Sequence, residues 1–157
     1  MTGVTLGWTL GSTASDELFA AIEGTALHTR IIIERFADHG VPVKRLIHAG
    51  GIPRKSPILN RIYASALGVP VLLPKSDTTS LGSAIFAFLA AGTYKTVEEA
   101  QQALCPNYDV IEPDKQSVET YAELFQHFRK LYFSLGDAQS PEVSLGSLLP
   151  ALHRLAH

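Results

Sequence analysis

The sequence predicts an α/β fold organised on parallel strands. Three observations carry that expectation. Apolar residues recur at helical spacing over residues 15–37. Two short runs rich in aliphatic residues, 43–48 and 69–73, are each followed by a helix-like segment. Residues 15–92 therefore read helix–strand–helix–strand–helix, and strands joined through helices pair in parallel.

The elements follow in order. Val4, Thr5, Leu6, Trp8 and Thr9 favour a strand or hairpin arm over 4–10, and Gly11-Ser12-Thr13 reads as a turn. Thr13 with Asp16 three residues on forms a capping-box pattern for the long helix. Leu18, Phe19, Ile22, Ala26, Ile33 and Phe36 mark its apolar face. Ile31-Ile32-Ile33 widens that face, so cover on more than one side is expected. Gly40, with Pro42 beyond, closes the helix. The strand over 43–48 runs into Gly50-Gly51. Ser56 is placed to cap a helix over 57–67, with Pro57 in its first turn and Gly68 ending it. In the strand over 69–73, Pro70 marks a start or a sheet edge.

Thr79 or Ser80 caps a helix over 81–91 that Gly92 ends, and its apolar stretch 85–91 reads as buried. From Thr96 onward the strands are expected to stop. Thr96 caps a helix over 97–104, with Glu98 and Glu99 where the helix dipole favours acids. Residues 105–113, holding Pro106, Asn107 and Pro113, read as a loop. The helix over 114–135 is amphipathic, with Val118, Tyr121, Leu124, Phe125, Phe128, Leu131 and Tyr132 as its buried stripe. A linker over 136–141 precedes a terminal helix over 143–155, interrupted by Gly146 and Pro150.

The 157 residues are enough for one domain with a sizeable core, at 46% hydrophobic and 18% charged residues. The net charge is −2, with Lys and Arg scattered, which argues against a nucleic-acid or anionic-membrane surface. Cys105 is the single cysteine, so no internal disulfide can form and a cytoplasmic setting is expected. It reads as a buried or half-buried small hydrophobe. Residues 1–12 lack the positive charge and apolar core of a signal peptide. No run reaches the roughly 20 apolar residues that span a bilayer.

The candidate chemistry lies at Gly50-Gly51. Strand, glycine turn and helix start together let backbone N–H groups approach an anion such as a nucleotide phosphate. The same pair is equally the signature of a tight turn with no ligand. A phosphate-binding P-loop is excluded because Arg54, not glycine, precedes Lys55-Ser56. A dinucleotide fingerprint is excluded because the glycines are adjacent and no third follows. Arg54 and Lys55 could meet phosphate or ribose oxygens, or form a solvated pair. Leu81-Gly82-Ser83-Ala84 could serve close helix packing or a hinge. His28, His39, His48, His127, His153 and His157 show no metal-ligand spacing, and no catalytic triad can be argued. His48 reads as a hydrogen-bonded, partly buried side chain, and Glu23 and Glu34 with Arg30 and Arg35 as ordinary helix charges.

In combination, Ala49-Gly50-Gly51-Ile52-Pro53-Arg54-Lys55-Ser56, Ala66-Leu67-Gly68-Val69-Pro70-Val71 and Ser80-Leu81-Gly82-Ser83-Ala84-Ile85-Phe86-Ala87 resemble the C-terminal lobe of FGGY carbohydrate kinases, nearest their L-ribulokinase branch. Leu6-Gly7-Trp8-Thr9-Leu10-Gly11-Ser12-Thr13 and Ile22-Glu23-Gly24-Thr25-Ala26 match the preceding segment, so the resemblance covers about residues 3–136. It implies a ribonuclease-H-like fold of the actin and hexokinase type, with its first strands expected to be missing here. The α/β core would span about 1–92, a helical extension about 93–136, and a linker with a helical tail 137–157. Gly50 and Gly51 would belong to an adenosine motif, with Ile52 and Lys55 also lining the nucleotide site, and residues 81–84 would connect the two lobes.

The implied reaction is transfer of the ATP γ-phosphoryl group to a sugar hydroxyl with Mg²⁺, for L-ribulose in arabinose catabolism. The catalytic base, the sugar site and any metal ligands would lie in a missing N-terminal lobe. No catalytic residue is therefore expected here, and the chain alone should be inactive as a kinase. The alternatives are another pentulose or polyol kinase of the xylulokinase or glycerol kinase type, or a non-catalytic nucleotide-binding or dimerisation module. Unpaired sheet edges and apolar surface favour a homodimer or larger species.

Overall fold

The computed structural model of the chain describes residues 3–105 and 107–156, without the side chain of Thr79. The expected loop residue Pro106, the candidate cap at the Thr79 side chain, His157, Met1 and Thr2 lie outside the described residues. The elements are α1 (Ala14–Asp38), β1 (Leu46–Ile47), α2 (Gly51–Lys55), α3 (Pro57–Leu67), β2 (Val71–Pro74), α4 (Thr79–Ala90), α5 (Val97–Leu104), β3 (Tyr108–Ile111), α6 (Lys115–Gly136) and α7 (Leu148–Leu155).

Local chemistry explains most boundaries. Thr13 and Asp16 form the capping box of α1: the Thr13 N–H donates to Asp16 Oδ2 at 2.8 Å, and the Asp16 N–H donates to Thr13 Oγ1. At its far end the Gly40 N–H donates to the Ala37 carbonyl and the Val41 N–H to the Phe36 carbonyl, both at 2.9 Å. That is the paired closure of a Schellman motif. Ser56 caps α3 by accepting from the Leu59 N–H, Thr96 caps α5 by accepting from the Glu99 N–H, and Asp114 caps α6 by accepting from the Ser117 N–H.

The sheet has the order β1-β2-β3. β1 and β2 are parallel, with Leu46 opposite Val71, as expected. β3 is antiparallel to β2, with Val71 opposite Ile111, and corrects the expectation that strands stop after Thr96 and that the extension is purely helical. Two flanking prolines made residues 105–113 read as a loop, yet buried Val71 and Leu72 need a neighbour on both sides. Pro70 precedes β2, but β2 is the central strand and not an edge. β1 is shorter than expected because Pro70 has no N–H to extend the ladder; only its carbonyl accepts, from the Leu46 N–H at 3.2 Å.

The core joins α1, α3 and α6 through Ala26, Leu27, Ile62, Ala66, Tyr121 and Phe125, and α3 also touches β2 and β3. Arg30 ties the three helices: its guanidinium lies 4.3 Å from the Phe125 ring centroid and donates to the Ala66 carbonyl at 3.2 Å. α4 packs chiefly on α5.

Other expectations are corrected. Residues 3–9 form no strand, since no sheet edge reaches them; they run across α1, α6 and α7, where Gly7 lies beside Leu152. α1 is covered by both α3 and α6, as expected, but Leu18 (65% exposed) and Phe36 (51% exposed) of its expected apolar face stay in solvent. α4 buries Ile85 but leaves Phe86 67% exposed, so 85–91 is not a buried helix. Its N-cap is Thr78, with no side-chain capping bond, and Ser80 lies inside the helix. Cys105 is exposed, because it stands at the solvent end of α5. The terminal helix begins only at Leu148, after Gly146.

Candidate functional site

The parallel strands β1 and β2 end side by side. In open α/β sheets the crevice beyond the carboxyl ends of such strands is where ligands bind. Here His48, Ala49, Gly50 and Gly51 leave β1, while Pro74, Ser76, Asp77 and Thr78 leave β2, and with Arg54 they line one cleft of about 90 Å³. At about 10–15 Å³ of such space for one water, the cleft has room for a polar group of several heavy atoms, such as a phosphate.

The two glycines have different physical grounds. Gly50 has φ 95° and ψ −174°, a region open essentially to glycine alone, and it turns the chain from β1 into α2. Gly51 has no positive φ, and a Cβ built there meets nothing within 4 Å. Neither backbone conformation nor crowding in this chain requires glycine at 51. Its missing side chain leaves backbone open to whatever occupies the cleft.

Charge around the cleft comes from Arg54 and Asp77, which roughly offset one another. The remaining attraction for an anion is the start of α4, whose first N–H groups have no intrahelical acceptor and whose N-cap makes no side-chain bond. His48 is half-buried, with Nδ1 2.9 Å from Asn60 Oδ1 and its ring edge-on to Tyr63 at 4.7 Å, as the hydrogen-bonded reading expected.

Of the residues singled out in the sequence, His48, Gly50, Gly51 and Arg54 meet at the cleft. Ile52, 70% exposed, and Lys55, also exposed, are on the same short helix but do not line it. The loop over 76–78 and Asn60 were missed. The signal for the loop was its position at the end of a strand parallel to β1. Asn60 carried a signal too, as a polar residue on the apolar face of a helix.

Glu23 is also more than an ordinary helix charge. It accepts the Tyr121 hydroxyl at 2.8 Å, and burial raises its carboxyl above the usual range while that hydrogen bond opposes the rise. Burial and the adjacent Glu23 push the Tyr121 hydroxyl up strongly. Glu34 pairs with both Arg30 and Arg129. No helix among the described residues is long and apolar enough to cross a membrane.

The family model for the C-terminal domain of the FGGY family of carbohydrate kinases matches residues 1–91. A ribulokinase of Bacillus licheniformis is 37% identical over 142 residues, which is 87% of this chain and 26% of that protein. A ribulokinase of Staphylococcus epidermidis is 34% identical over 146 residues, covering 92% of this chain and 27% of that protein. Among solved structures, the xylulose kinase from Rhodospirillum rubrum superposes with a TM-score of 0.73 at 26% identity, over 87% of this chain and 28% of that one. The chain thus spans about a quarter of the length of these relatives. The backbone likeness bears out an α/β fold of the kind found in the C-terminal portion of such kinases.

Proposed function

The chain belongs to the FGGY family of carbohydrate kinases, within its C-terminal domain, and we propose that it forms one side of the nucleotide site of an ATP-dependent kinase acting on L-ribulose. The observation that carries this reading is Gly51, a glycine that nothing inside the chain demands, in the lining of the cleft beyond β1 and β2. ATP supplies the phosphoryl group. This chain's residues hold its phosphates: Gly50 and Gly51 by close backbone approach, Arg54 by charge, and the opening turn of α4 by N–H donors. Ile52 and Lys55 contact the nucleotide from the adjoining exposed surface of α2. Lobe and tail divide at about residue 136.

The ribulokinase names of the sequence relatives support L-ribulose as acceptor. Among the described residues no group of three or more His, Cys, Asp or Glu could hold a metal. Mg²⁺ would be held chiefly by the phosphates of the nucleotide, with one or two carboxylates of the kinase. The part of the kinase that this chain does not span carries the sugar site and the general base. The alternative acceptor is xylulose, favoured by the backbone likeness to xylulose kinases.

Replacing the matched C-terminal portion of B. licheniformis ribulokinase with this chain tests the nucleotide role. ATP-dependent phosphorylation of L-ribulose should persist in the hybrid and be lost with Gly51→Val, while the chain alone should phosphorylate nothing. Full activity of the Gly51→Val hybrid would refute the nucleotide role. A screen of ketopentoses and polyols on the complete kinase polypeptide decides the acceptor: L-ribulose should be turned over best, and a preference for xylulose would reassign it.

A further inference from the structure

Asn60 is 1% exposed on the apolar face of α3. A buried amide persists where its hydrogen bonds are made. Its Nδ2 donates to the Pro53 carbonyl at 2.8 Å, and its Oδ1 lies 2.9 Å from His48 Nδ1. These two partners flank the glycine turn, His48 lying before Gly50 and Pro53 after Gly51. A carbonyl can only accept, so the amide has one orientation, Oδ1 is the acceptor and His48 Nδ1 carries the proton. The Tyr63 ring packs edge-on to the imidazole. With Nδ1 engaged, Nε2 is the remaining polar atom of a side chain that lines the cleft.

We infer that Asn60 is a positioning residue for the cleft: by holding His48 and Pro53 together it sets the span of the Gly50-Gly51 turn and the His48 tautomer, leaving Nε2 as the ring atom offered to the occupant. The inference deepens the nucleotide reading and rests on it for the identity of that occupant.

The test uses the ¹⁵N-labelled 157-residue chain and ADP. Long-range ¹H–¹⁵N correlation reads the tautomer of His48, expected as Nδ1–H with a bare Nε2 in the neutral ring. Asn60→Ala should release the ring to the Nε2–H form, move the Gly50 and Gly51 amide signals, and weaken ADP binding about tenfold. Ser65→Ala is the control. It removes another buried hydrogen bond from α3, the one accepted from the Asp114 N–H at 3.2 Å, and should leave those signals and ADP affinity in place. An Nε2-protonated His48 in the unmodified chain, or equal displacement of the glycine signals by both variants, overturns the inference. Should Asn60→Ala not fold, the tautomer of the unmodified chain decides alone. If the tautomer and glycine responses hold but the unmodified chain takes no ADP, Asn60 keeps its role and the nucleotide reading fails.

Discussion

Gly50 and Gly51 are neighbours in sequence with opposite expected responses to substitution. Gly50→Ala forces a side chain into a backbone conformation of φ 95° and should cost about 1–3 kcal/mol of folding stability. Gly51→Ala meets open space in a helical conformation and should leave stability unchanged or raise it by up to about 1 kcal/mol, yet weaken nucleotide binding. Urea unfolding of both variants, with ADP titration, checks the pair. Glu23 gives a pH-dependent counterpart. Because burial raises its carboxyl, the native chain holds that proton more tightly than the unfolded chain. The group's contribution to stability is complete below the ordinary value of 4.5 and is lost as pH rises through the higher folded value. Glu23→Gln keeps an acceptor for Tyr121 without the charge. It should be at least as stable as the parent at neutral pH and lose that advantage below pH 4.5, measured by urea unfolding in both buffers.

At the scale of elements, helices were legible wherever capping chemistry was written into neighbouring residues. Thr13 with Asp16, Ser56 with Pro57, and Thr96 with Glu99 each mark a start that the hydrogen bonds reproduce. Strands were less legible because pairing is a long-range property. Residues 4–10 have strand propensity and no partner, whereas Tyr108–Ile111 sits between prolines and pairs because β2 needs a second neighbour. The site divides the same way. Gly50-Gly51 is visible as a motif, but the loop over 76–78 joins it only through the parallel register of β1 and β2. Helix packing supplies the matching stability test. Phe125, 1% exposed beneath the Arg30 guanidinium, touches the core shared by α1, α3 and α6. Phe125→Ala should cost about 3–5 kcal/mol in chemical denaturation, whereas Phe86→Ala on the exposed face of α4 should change stability by less than about 1 kcal/mol.

At the scale of the whole molecule, apolar surface is left over. Leu18, Ile32 and Phe36 are exposed along α1, and Phe86 and Phe88 along α4. Within the Ile31-Ile32-Ile33 run, Ile31 packs on the core while Ile32 stays exposed, and its cover would come from another chain or from the part of the kinase this chain does not span. The purified chain should therefore self-associate with rising concentration in sedimentation velocity, and the double change Ile32→Glu with Phe36→Glu should return it to monomer. A monomer at every concentration would count against that expectation. The claim on which the functional reading depends is that the cleft between β1 and β2 receives nucleotide phosphates. Titrating ADP into the ¹⁵N-labelled chain and following backbone amides tests it most directly. The expected result is saturable shifts at Gly50, Gly51, Arg54 and Thr78; no shift at those residues, or shifts confined to the α1 and α6 faces, would contradict it.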